Sequence, residues 1–104
     1  YNHLPPEIGT DIVFIEAELH YIKVVTVGGE TLVLYALRDA AKELAEGIII
    51  HRSYWVAFKF IEKITGTRAS PVCVLKDGRR LPISRRRLDE VNDFYEQYQA
   101  GRMR

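Results

Sequence analysis

Between Asp11 and Ile83 the chain is made of short β-branched and aromatic runs separated by glycine, proline or polar clusters, and this spacing constrains it to strands joined by tight turns. "DIVFIEA" (Asp11 to Ala17) and "HYIKVVTV" (His20 to Val27) are two such runs, the second alternating its faces, and "VGGE" is a turn before "TLVLYA". Two or three antiparallel strands follow. "PVCVLKDGRRLPIS" reads as a hairpin, because Asp77-Gly78 supplies the positive-φ pair that a tight turn needs; its strands are expected at Val72 to Lys76 and Arg80 to Ile83. Two further apolar runs, "GIII" and "YWVAFKFIEKI", read as buried strands parted by the polar trio His51-Arg52-Ser53.

Helical periodicity occurs twice. "LRDAAKELAEG" places Leu37, Ala40, Ala41 and Leu44 at helical spacing, with Gly47 as the stop. After Ser84, a good N-cap type, Leu88, Val91, Tyr95 and Tyr98 follow the same spacing, so a C-terminal helix is expected. The fold class is therefore mostly β and antiparallel, with one short middle helix and a helix at the end.

At 104 residues the chain is one domain, too small for two folded units with a cleft between them. Residues 1–10 read as a linker remnant, 11–99 as the domain and 100–104 as a tail. No stretch approaches the run of about 18 apolar residues that a membrane helix needs, so a soluble, cytoplasmic domain is expected. Tyr1 to Pro6 lack the marks of a secretory signal and there is no initiator Met, so the chain reads as a piece of something longer. Cys73, the single cysteine, lies in "PVCVL" and reads as a small buried hydrophobe in a reducing compartment.

The formal net charge of +1 conceals a strong asymmetry. Residues 1–75 hold 7 basic and 9 acidic side chains, residues 76–87 hold 6 and 1, and residues 88–104 hold 2 and 4. Nearly all the positive excess lies in "KDGRRLPISRRR", which makes it the first candidate for contact with a polyanion.

Catalysis is the sharpest alternative. His51 and Ser53 would share a face of an extended strand, an arrangement that invites a hydroxyl activated by imidazole. Ser53 has no glycine-rich elbow and no carboxylate close in sequence, which argues against acyl transfer. His3, His20 and His51 are too widely spaced for the pairwise ligands of a zinc site. Glu16 and Glu18 read as a solvated strand edge rather than an acid/base pair, and the glycines match no phosphate-cradling loop. These readings lead to no enzyme, no cofactor, no metal and no small-molecule substrate.

Polyanion binding is better supported. Arg85, Arg86 and Arg87 are expected at the N-terminus of the last helix, where the macrodipole makes each unfavourable by a few tenths of a kcal/mol, roughly. Free N–H groups and guanidinium forks together suit phosphate oxygens or guanine O6 and N7. His51-Arg52-Ser53 supplies a second set of donors and His20 a third. Tyr54, Trp55, Phe58 and Phe60 read as the strand that braces the trio, more than as a base-stacking platform.

"IVFIEAELHYIKVVTVGGETLVLYALRDAAKEL", then "IIIHRSYWVA", then "VCVLKDGRRLPISRRRLDEV" resembles the LytTR DNA-binding domain of bacterial transcriptional regulators over about Asp11 to Tyr98. The "HRSYWV" strand start and the "G-x-x-LPISR" close are its most specific motifs. The resemblance implies small antiparallel sheets stacked along an elongated body. It implies binding of double-stranded promoter DNA through loops in successive major grooves, at a site that is often an imperfect direct repeat. By motif match His20 falls at the first base-contacting position, Arg52 at the second and Arg86 at the third, with Arg85 its near neighbour. Ser53, Lys76, Arg79, Arg80, Ser84 and Arg87 are candidate phosphate contacts. A second copy on an adjacent half-site and an upstream receiver or membrane-embedded sensor, as in two-component response regulators, are the implied partners. The chain departs from the pattern at Ala57, where many members have asparagine, and in carrying three consecutive arginines. Two other readings stay open beside this one: a protein-interaction module using an exposed sheet edge, and an RNA-binding β module.

Overall fold

The computed structural model describes residues 11–101. Five strands, β1 (Ile12–Ala17), β2 (Ile22–Thr26), β3 (Gly29–Val33), β4 (Gly47–His51) and β5 (Tyr54–Ala57), form an antiparallel sheet in the order β3-β2-β1-β5-β4. A second antiparallel sheet holds β6 (Ile61–Gly66), β7 (Pro71–Leu75) and β8 (Arg80–Pro82) in that order. Two helices complete it, α1 (Leu37–Glu43) between β3 and β4 and α2 (Leu88–Gln99) at the end. The expected class, mostly antiparallel β with a middle and a terminal helix, is the observed one.

The inner strands β2, β1 and β5 are buried on both faces, which is why they read as near-continuous apolar runs, whereas the edge strand β3 is exposed except at Val33. On one face Ile15, Ile22, Val24, Trp55 and Ala57 pack with Leu37 and Ala40 of α1. On the other, Phe14, Val25, Ile50 and Val56 meet Cys73, Leu75 and Leu81 of the small sheet and Leu88 and Val91 of α2. A bulge between Ile12 and Phe14 lets the consecutive residues Val13 and Phe14 enter the same core, which strict alternation would forbid.

Several local expectations are corrected. "YWVAFKFIEKI" is two strands, because a 3-10 turn at Phe58–Phe60 passes the chain from one sheet to the other. Phe58 is buried at that corner, its N–H donating to the Glu46 carbonyl at 2.9 Å, while the Lys76 N–H donates to the Phe60 carbonyl at 2.9 Å. Gly47 is not the stop of the middle helix: α1 ends at Glu43 with Leu44 as its C-cap, and Gly47 opens β4 opposite Ala57. Trp55 packs so closely on Gly47 that a Cβ would overlap the indole and the Val56 carbonyl. In the β7–β8 hairpin only Gly78 has positive φ (94°), with its N–H donating to the Leu75 carbonyl at 2.9 Å; Asp77 instead accepts from the Arg79 N–H at 3.0 Å. This is a turn closed by a left-handed glycine, not a positive-φ pair. Lastly, Ser84 makes no side-chain cap: it precedes a 3-10 turn at Arg85–Arg87, and α2 begins only at Leu88.

The periodicity of α2 does predict its packing. Leu88 and Val91 are buried, the Tyr95 hydroxyl donates to the Ile61 carbonyl at 3.1 Å, and Tyr98 stacks on Phe58 with centroids 5.3 Å apart.

Candidate nucleic-acid interface

Antiparallel register sets the site. Glu16 lies opposite Lys23 on β2 and opposite Tyr54 on β5, and Tyr54 lies opposite His51 on β4. The β1–β2 turn and the β4–β5 turn therefore emerge at the same end of the large sheet. Two backbone hydrogen bonds lace three segments together there. The Ala17 N–H donates to the Ser53 carbonyl at 2.7 Å, joining the first turn to the second, and the Ser84 N–H donates to the Ile50 carbonyl at 2.8 Å, joining the segment after β8 to β4.

His20 is exposed in the first turn, Arg52 in the second, and Arg85 and Arg86 in the 3-10 turn after Ser84. Their order in space follows from those two links. Among the described residues, no carboxylate is within ion-pair distance of Arg52, Arg85 or Arg86, whereas Arg87 is 4.0 Å from Glu90 and Arg68 is 3.0 Å from Asp89. Asp89 and Glu90 occupy the first turn of α2. Arg87 is the N-cap of α2, so the arginines do stand at the positive end of the macrodipole, as expected, and the acids of the first turn, with Glu90 beside Arg87, offset that cost.

His51 takes a structural part. Its Nδ1 accepts the Ser53 N–H at 3.1 Å, so a neutral ring carries its proton on Nε2 and holds the turn that presents Arg52. Burial first, and the neighbouring Arg52 charge second, push its pKa down. The imidazole is thus engaged with the Ser53 backbone, not poised as base for the Ser53 hydroxyl. Beside it runs a row crossing the sheet: the Lys23 Nζ is 3.3 Å from Glu16, the Tyr54 hydroxyl donates to the same carboxylate at 3.4 Å, and Tyr54 and His51 rings are 5.9 Å apart. The hydrogen bond to Glu16, together with its charge, raises the Lys23 pKa. Sequence reading assigned Glu16 to a solvated edge beside Glu18; strand register, once known, would have paired it with Lys23 and Tyr54. Trp55, at 2% exposed, is core, with its indole N–H unpartnered among the described residues.

The β7–β8 tip stands apart. Lys76, Asp77 and Arg79 line a groove with Val13, Val25, Thr26 and Val27, at the end of the large sheet opposite His20 and Arg52. From Arg79 to Ser84 the strand spans about 16 Å at the usual rise. Arg79 lies over the Phe14 ring, 5.2 Å from its centroid, and its Nε is 3.5 Å from Asp77. Lys76 and Arg80 are exposed, and among the described residues neither has a carboxylate within ion-pair distance. The twelve-residue basic segment therefore divides into two patches.

A model of the LytTr DNA-binding domain matches residues 9–96. The chain belongs to this family. Its members are DNA-binding rather than catalytic, which fits the expectation of no enzyme without proving it. Among solved structures, the chain is similar to the LytTr DNA-binding domain of a protein described as a methyl-accepting/DNA response regulator from Bacillus cereus. That match has a TM-score of 0.69 and 20% identity, covering 84% of this chain and 79% of the other. At that identity the likeness shows a shared LytTr fold. No curated protein matches. Among the described residues of this LytTr domain, no group of three or more His, Cys, Asp or Glu could hold a metal ion, and no helix is long and apolar enough to cross a membrane.

Proposed function

We propose that this LytTr domain reads a promoter sequence as part of a transcriptional regulator, with His20, Arg52, Arg85 and Arg86 reading base edges from loops placed in successive major grooves. One observation carries the reading: two backbone hydrogen bonds gather the β1–β2 turn, the β4–β5 turn and the post-β8 turn at one end of the sheet, and each presents an exposed donor. Fixed donors on rigid turns suit base edges, because direct readout demands geometry as well as charge. Ser53, Ser84 and Arg87 flank these donors and serve as phosphate contacts, with Lys76, Arg79 and Arg80 reaching phosphates further along the duplex. A second copy on an adjacent half-site of a direct repeat and an upstream receiver or sensor segment complete the proposed cytoplasmic assembly.

Selection of bound duplexes from a random pool tests this reading, with an enriched motif as the expected result. Arg52→Ala and Arg86→Ala are each expected to cost about 1–3 kcal/mol on that motif and to relax discrimination at different base pairs. No enriched motif, or variants that bind it like the parent, would remove the base-reading role. Preference for single strands would favour RNA, and no nucleic-acid binding would favour a protein partner at a sheet edge.

A further inference from the structure

We propose that Leu19 reads the 5-methyl group of a thymine in the groove that His20 enters; this inference rests on the base-reading role of the β1–β2 turn. Among the described residues Leu19 is 88% exposed, more than the other large exposed hydrophobics Val27, Leu32, Leu34 and Phe94. Its hairpin had apolar burial available, since Ile15 and Ile22 on the two flanking strands are 0% and 1% exposed.

Nor does a slack loop leave it in water by default. The Glu18 N–H donates to the Tyr21 carbonyl at 2.8 Å, which makes Leu19 and His20 the two apical residues of a closed turn. The Ala17 N–H to Ser53 carbonyl bond ties the base of that turn to the one carrying Arg52. An apolar side chain is thus held at the tip of a segment whose neighbours are donors.

Base-pair edges in the major groove of B-DNA offer hydrogen-bonding atoms and, on thymine alone, an apolar group. A leucine against phosphate, or against the polar edges of a G·C pair, desolvates those atoms and gives no bond back. Against the thymine methyl it buries carbon on carbon. The turn would then combine two readouts on neighbouring base pairs, a hydrogen bond from His20 and a methyl contact from Leu19.

Replacing single thymines of the selected duplex by deoxyuridine tests this, because it deletes the methyl and leaves pairing and every other groove atom in place. His20→Ala marks which base pairs lie under the turn. At one thymine in that footprint, deoxyuridine should weaken binding by the parent about fourfold, the worth of one buried methyl. Leu19→Ala should bind the thymine duplex more weakly and ignore the replacement, while Leu19→Met should keep the response. Indifference of the parent at every thymine in the footprint overturns the inference, as does a Leu19→Ala protein that retains the full deoxyuridine penalty. A motif without methyl dependence overturns this inference alone, whereas a parent that binds all duplexes alike overturns base reading and this inference with it.

Discussion

The hydrogen bond from the Ser53 N–H to His51 Nδ1 makes the turn around Arg52 sensitive to protons, because protonation of Nδ1 removes the acceptor. The folded-state pKa of His51 is lowered, so the unfolded chain binds more protons in the range where the two states differ. By linkage, the contribution of this group to stability is complete above the ordinary histidine value of about 6.5 and is lost as pH falls through the lower folded value. Urea midpoints should therefore drop on acidification below about 6.5. His51→Asn, which keeps an acceptor at a similar reach and does not titrate there, should flatten that dependence; equal pH slopes in parent and variant would contradict this role. Two glycines make the opposite kind of contrast. At Gly78 a Cβ meets nothing, but φ is 94°, so Gly78→Ala should cost about 1–2 kcal/mol from backbone strain alone. At Gly47 φ is ordinary and space is absent: a Cβ overlaps Trp55 and the Val56 carbonyl, and Gly47→Ala should cost about 1–3 kcal/mol or more through overpacking. Denaturant midpoints of the two variants, with Gly47→Ala the lower, would check the assignment.

At the scale of elements, the corner at Phe58–Phe60 is where the fold is decided. Phe58 packs in the core between the sheets and stacks on Tyr98, so one ring joins β5, β6 and α2. Phe58→Ala should cost about 3–5 kcal/mol. That is a large share of the total stability of a domain this size, about 5–15 kcal/mol. Calorimetry or urea unfolding should show it, and a loss below about 1 kcal/mol would mean that the corner does not hold the sheets together. The same corner shows what sequence can and cannot reveal. Strands, the middle helix and the periodic face of α2 were legible because each depends on local alternation or 3.6-residue spacing. "YWVAFKFIEKI" was not divisible by eye, because what bends it is the inter-sheet core, assembled from residues up to α2. Gly47 was misread for the same reason: its partner is the Trp55 ring, from another strand. Likewise the candidate donors His20, Arg52, Arg85 and Arg86 could be named from motif resemblance, yet the links from Ala17 to Ser53 and from Ser84 to Ile50 that gather them are tertiary hydrogen bonds with no sequence signature. Glu16, Lys23 and Tyr54 escaped notice as a unit because cross-strand neighbours are set by register, which sequence fixes only once the turns are known.

Taken as a whole molecule, a chain of net charge +1 has little long-range pull on DNA, so attraction must come from where its cations stand and whether carboxylates already hold them. Arg52, Arg85 and Arg86 stand at the laced end, and Lys76 and Arg80 at the far tip; among the described residues none has an ion-pair partner. Arg68 and Arg79 are engaged, with Asp89 at 3.0 Å and Asp77 at 3.5 Å. Each phosphate neutralised contributes about −0.9 to the slope of log affinity against log salt, so the cations can be counted in solution. Lys76→Ala should weaken binding to all sequences alike and make the slope shallower by about 1, if a tip about 16 Å from Ser84 meets backbone while the laced end reads bases as proposed. Arg68→Ala should leave the slope unchanged, because it removes a cation already neutralised by Asp89. Arg79→Ala should fall between them, and Asp77→Ala, which frees Arg79, should steepen the slope. Equal slopes for Lys76→Ala and Arg68→Ala would show that the far tip does not meet the duplex, and would confine the DNA contact to the end where His20, Arg52 and Arg86 converge.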